Sequence, residues 1–326
     1  MRTVIGALVS LGLLALSGCA SKAHFSLQDV ASPYAYQYTR ERGRIYHAAT
    51  GRQLSPAELS AYLAGFTVIY VGESHDSIDD HAVQLEILTA MQQRFPGEVA
   101  LGLEMLGTDS QEEVNQWVAG ELGEAEMMRL WARNWGESSY PYYKDILDYV
   151  RAHHIPVVAL NRPRGTLPPA EEPGAGGEGA APSSPTRRPH PEIDTDDPYY
   201  QAYIGAFLAG HDLDADSRAQ FLHSQLLWDE TMAETAATFL LEPANTISKL
   251  VVFAGANHVR YGFGIPRRLF RRVPVNYTIV STSVVDFPES ARGKLMDIEV
   301  PQLPLPPADI VWMVGYESLE VQPAPE

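Results

Sequence analysis

The sequence of 326 residues predicts an α/β fold: a largely parallel β-sheet flanked by helices, with one long disordered loop insertion. Three observations predict it. Short apolar runs, β-branched in their middles, alternate with segments whose apolar residues recur every three or four positions. Four of those runs end in polar groups. Between Gly165 and Pro198 the composition changes abruptly to Pro, Gly, Ala, Glu and Ser, with almost no large apolar side chains. Such a stretch cannot bury enough surface to offset its ordering entropy, so it is expected to be disordered.

In chain order, Met1-Arg2, an apolar run from Val4 to Leu16 and then Ser17-Gly18-Cys19 form a leader too short to span a membrane. Residues 1–19 are thus expected to be a lipoprotein signal ending in a lipobox, with lipid on Cys19. That is the sole cysteine, so disulfides and a thiol nucleophile are excluded. Each acyl chain adds roughly 0.8 kcal/mol per buried CH₂, so several chains hold a protein on a membrane. Ala20 after the Cys points to the outer membrane.

Residues 20–50 read as a tether and lead-in, with Tyr34, Tyr36 and Tyr38 alternating. Ser55-Pro56-Ala57-Glu58 is a capping-box helix start. The first strand, Thr67 to Val71, runs into Gly72-Glu73-Ser74-His75. Ile78, Ala82, Leu85, Leu88 and Met91 then give a helix over 77–94. A second strand, Glu98 to Glu104, precedes helices at about 109–119, 123–133 and 141–153. Ile155 to Leu160 is a third strand, ending at Asn161-Arg162-Pro163-Arg164. After the insertion, helices are expected to Ala209 and from Ser217 to Leu241. The fourth strand, Lys249 to Ala254, runs into Gly255-Ala256-Asn257-His258. Ile265 to Leu269 is a helical turn, and 277–283 and 310–314 are further strands. The folded domain is expected over 51–317 and a tail over 318–326.

Net charge is −17, which argues against nucleic acid as a partner but leaves room for a small anion on a local Arg cluster. In an open parallel sheet, ligands bind outside the carboxyl ends of the strands. Glu73, His75, Glu104, Asn161, Arg162, Arg164, Asn257 and His258 all fall there, and His81 lies one turn on. Gly72 and Gly255 are expected to take the positive φ of a sharp turn. Glu73 and Glu104 with His75 and His258 suit acid–base work, and His75, Glu104 and His258 suit a divalent metal. The alternatives stand beside these: His75 as a helix cap, and Glu104 as a buried acid paired with Arg162 or Arg260. Arg267, Arg268, Arg271 and Arg272 form either a solvated turn or a clamp for carboxylates.

Gly72-Glu73-Ser74-His75-Asp76, Leu103-Glu104-Met105, the strand end at Asn161-Arg162, Gln225-Leu226-Leu227-Trp228-Asp229-Glu230 and Gly255-Ala256-Asn257-His258-Val259-Arg260 together resemble the ChaN-like haem-binding lipoproteins. That family lies in the wider Tiki/TraB/erythromycin esterase superfamily. The resemblance implies haem binding for iron uptake, haem held between two protomers through a tyrosine, and an outer-membrane haem receptor as partner. Tyr140, Tyr142, Tyr143, Tyr199, Tyr200 and Tyr203 are the candidate ligands, with His75, His258, Arg260 and Arg267 as further haem contacts. The superfamily also contains hydrolases, so a hydrolase acting through Glu73, His75, Glu104 and His258, with or without metal, is the alternative.

Overall fold

The computed structural model describes residues 39–164, 193–209, 214–289, 303 and 305–319. The leader with Cys19, the tyrosines at 34, 36 and 38, and nearly all of the expected insertion lie outside the described residues.

Eight strands form one sheet in the order β2-β1-β8-β7-β3-β6-β4-β5. They are β1 (Ile45–His47), β2 (Arg52–Leu54), β3 (Val68–Glu73), β4 (Val99–Gly107), β5 (Val157–Asn161), β6 (Lys249–Gly255), β7 (Tyr277–Asp286) and β8 (Ile310–Gly315). The six strands from β8 to β5 run parallel, and β1 and β2 add an antiparallel edge. The lead-in is therefore part of the sheet from Ile45 onward.

Helices cover both faces. α1 (Pro56–Leu63), α2 (Ile78–Arg94), α3 (Gln111–Val118), α4 (Glu124–Asn134) and α5 (Tyr140–Ala152) lie on one face. Beyond β5 come α6 (Pro198–Ala209) and α7 (Ala215–Leu241), and beyond β6 come α8 (Ala256–Val259) and α9 (Ile265–Arg272). α7 and α9 cover the opposite face. Successive side chains of a strand point to opposite faces. So Ile69 and Val71 join the core under α2, while Val68 and Tyr70 join the core under α7. A strand buried on both sides reads as one apolar run, which is why the runs of β3, β4, β5 and β6 are legible.

The local start signals act as their chemistry dictates. Ser55 Oγ accepts the Glu58 N–H at 3.3 Å and Glu58 accepts the Ser55 N–H at 2.9 Å. α2 is capped by Ser77, which accepts the Asp80 N–H at 3.2 Å, so His75 is not the cap. β4 outruns its expected end at Glu104 by three residues. Its pairing with β5 breaks register between Leu103 and Gly107, and that irregular stretch opens at Glu104. Among the described residues no helix is long and apolar enough to cross a membrane.

Candidate functional site

β3 and β6 are neighbours, with Glu73 in register with Gly255. The two Gly-x-x-His turns therefore meet at the carboxyl edge of the sheet. Neither glycine takes the positive φ expected from the sequence; the positive-φ glycines lie elsewhere. Both are needed for space. A Cβ on Gly72 would stand 2.8 Å from Val259 Cγ2 and 3.1 Å from Ala256 Cα, in the other turn. A Cβ on Gly255 would stand 2.8 Å from His75 Nε2. Each turn lacks a side chain where the other packs.

Around this contact runs a row of acids and imidazoles. Asp229, from the buried face of α7, accepts from Tyr200 Oη at 2.6 Å and faces His258 Nδ1 at 2.6 Å. His258 Nε2 lies 3.4 Å from Glu104 Oε1, and Glu104 Oε2 accepts the Gly255 N–H at 2.6 Å. Glu73 Oε1 faces His75 Nδ1 at 2.8 Å and accepts from the Tyr143 hydroxyl. Glu73 Oε2 faces His81 Nε2 at 3.2 Å. Glu73, Glu104, Asp229, His81 and His258 are buried; the His75 side chain is 40% exposed.

Burial disfavours each charge, and the neighbours override it. Burial would raise the Glu73 and Glu104 carboxyls, yet His81 and His75 hold Glu73, and His258 holds Glu104, below the usual carboxylate range. Burial would lower His258, but Glu104 and Asp229 raise it well above the ordinary imidazole value. For His75, burial is outweighed by the Glu73 hydrogen bond and the Glu104 charge, which push it up to about 9. A raised imidazole stabilises the fold fully below its unfolded value near 6.5, and this support is lost as pH rises through about 9. NMR titration of the His75 ring should therefore give a midpoint well above 6.5; a midpoint at 6.5 would refute the pairing.

A crevice of about 280 Å³ opens beside the row, its lining including Glu104, Asn161, Arg162, Arg164, Trp135 and Trp228. Trp135 packs edge-on against His75 at 5.0 Å and Trp228 against His258 at 6.3 Å. The strand-end residues expected to converge thus do so, save Asn257, which accepts from Tyr203 Oη at 3.1 Å. Glu104 is paired with His258 and not with Arg162 or Arg260.

Other expectations are corrected. The α9 arginines are not free for a ligand: Arg267 pairs with Asp197 and Asp194, and Arg271 with Asp194 and Glu230. Arg268 and Arg272 share the fully buried Glu230 at 3.0 and 2.7 Å. Asp194 and Asp197 belong to the expected insertion, and Arg267 has its charge matched by them. A metal centre at His75, Glu104 and His258 is also unsupported, because the described residues hold no group of three or more His, Cys, Asp or Glu placed to bind an ion. His258 is paired with Glu104 and Asp229, and His75 with Glu73.

Of the six candidate tyrosines, Tyr140, Tyr143, Tyr200 and Tyr203 are buried. Tyr142 is half-buried and accepts the Leu319 N–H at 2.9 Å, and Tyr199 is 43% exposed. Sequence reasoning assigned no role to Asp229, Trp135 or Trp228. The readable signal for Asp229 was an acid among the apolar positions of a long helix, a residue type seldom buried without a partner.

The fold is similar to that of ChaN of Campylobacter jejuni, solved in a study of cofacial haem binding to that protein. The TM-score is 0.58 at 17% identity, covering 83% of this chain and 96% of that one. Protein RETICULATA-RELATED 5, chloroplastic, of Arabidopsis thaliana is 24% identical over 234 residues, 65% of this chain and 30% of that protein. The chain thus spans under a third of that relative's length. Residues 59–269 match the family described as haem-binding uptake, Tiki superfamily, ChaN, and with well over half of its length matched the chain belongs to that family.

Proposed function

We propose that this protein binds haem at the bacterial outer membrane, anchored by lipid on Cys19, and serves haem-iron uptake as a homodimer that works with a haem receptor. The observation that carries the reading is family membership over residues 59–269. Tyr199 and Tyr261 lie nearly parallel to Phe263, with ring centroids 6.2 and 5.4 Å away at 23° and 22°. Phe263 is buried and Tyr261 half-buried, so of the three only Tyr199 offers an exposed ring. Tyr199 is the one exposed member of the six tyrosines, and a phenolate suits ferric iron. Arg260 adjoins Tyr261 and donates to Ser281 Oγ at 3.3 Å. Among the described residues Arg260 has no ion pair, which leaves its charge for a haem propionate.

Haemin titrated into the full-length protein in detergent should shift the Soret band. Tyr199→Phe should weaken binding at least tenfold, about 1.4 kcal/mol. No shift with the wild type would overturn the reading. Hydrolysis by Glu73, His75, Glu104 and His258 is the second reading. It is favoured by His75, the one member of that set with an exposed side chain, standing beside a crevice. Ester turnover by the same preparations that is lost in His75→Ala would support it; none above buffer would sink it.

A further inference from the structure

The crevice carries an inference that does not depend on haem. Its polar lining divides into groups already used and groups left over. Glu104 accepts from Gly255 N–H and faces His258, so its acceptor oxygens and its charge are matched within the protein. Asn134 turns inward: Nδ2 donates to Ser110 Oγ and Leu130 O, both at 2.9 Å, and Oδ1 accepts the Gly107 N–H at 2.9 Å. Asn161 Oδ1 accepts the Arg162 N–H at 2.8 Å.

What remains is donor-rich. Arg164 makes no ion pair among the described residues, and its guanidinium lies 5.8 Å over the Trp135 ring. A guanidinium stacked on an indole keeps its edge donors free for a planar anion. The His75 ring meets the same indole, with Nδ1 committed to Glu73 and a proton favoured on the ring. Trp228 supplies a second indole in the lining. Cationic donors, two aromatic surfaces and no unmatched carboxylate are an unusual set in a chain of net charge −17.

We propose that the crevice between Trp135 and Trp228 is a binding site for a small organic carboxylate, its apolar body against the indoles and its carboxylate on Arg164. The volume of about 280 Å³, near the lower end for ligand sites, admits a single-ring acid. The carboxylate accepts from Arg164, and no proton or bond changes hands.

The test is tryptophan fluorescence of the full-length protein in detergent, titrated with benzoate and with its neutral isostere benzamide. Benzoate is expected to change the emission at least tenfold more tightly than benzamide. Trp135→Phe, which keeps an aromatic ring but removes the indole fluorophore, should reduce that signal. Arg164→Gln, at an exposed position that should not disturb folding, should bring the two ligands within about twofold of each other. Equal binding of benzoate and benzamide to the wild type, no binding of benzoate, or a preference that survives Arg164→Gln would each overturn the proposal. Haem is absent from the assay, so its outcome is independent of the Soret titration.

Discussion

His258→Ala should lower the stability of the fold by about 3–5 kcal/mol, the cost of removing one partner from a buried ionic set. His258 stands between Asp229 at 2.6 Å and Glu104 at 3.4 Å, and the alanine leaves two buried carboxylates with no cation between them. The pH dependence follows from the directions of the shifts. Glu104 is held low, so its contribution is present above the unfolded value near 4.5 and is lost as pH falls through its folded value. His258 is held high, so its contribution is complete below 6.5 and is lost as pH rises through its folded value, well above that. The gap between wild type and variant should therefore be widest between about pH 4.5 and 6.5. Urea unfolding across that range checks it, and a gap under about 1 kcal/mol at pH 6 would refute it. Adding Asp229→Asn to the variant should recover part of the loss, because it removes one of the two stranded charges.

Gly264→Ala should cost at least about 3 kcal/mol, the upper end of the range for overpacking, since the new atom meets backbone. Gly264 precedes α9 with ψ at −118°. A Cβ there would overlap the carbonyl oxygen of His258 and come within 3.0 Å of Asp229 Oδ2. A side chain could rotate away from such an atom; a backbone carbonyl cannot without moving the His258 turn. The variant should lose thermal stability and, with the turn displaced, the high His258 titration. Normal stability in Gly264→Ala would show that α9 docks differently. Gly255→Ala should be milder, because the atom it meets is the end of the His75 ring, which can swing outward.

The two glycine turns show how legible the site was. The positions Glu73, His75, Glu104 and His258 are readable because each follows a short apolar run, and parallel strands present their carboxyl ends to one edge. The reason for the glycines was not readable. Gly72 and Gly255 serve close packing between turns about 180 residues apart, and nothing in either turn records the other. The α9 arginines failed for a similar reason: four basic residues in one turn look like a ligand clamp until Asp194, Asp197 and Glu230 are brought to them.

By itself the sequence determined the six parallel strands, most of the helices, the capping box that starts α1, and which edge of the sheet carries polar groups. These depend on periodicity, capping chemistry and strand-end residues within a few positions. The tertiary structure alone decided that Asp229 serves His258, that Glu104 holds the Gly255 N–H across 151 residues, and that Tyr143 is tied to Glu73 across 70. It also decided which tyrosine stays exposed. Burial and pairing of a charged group are fixed by what the rest of the chain packs around it, and that is a property of the folded whole.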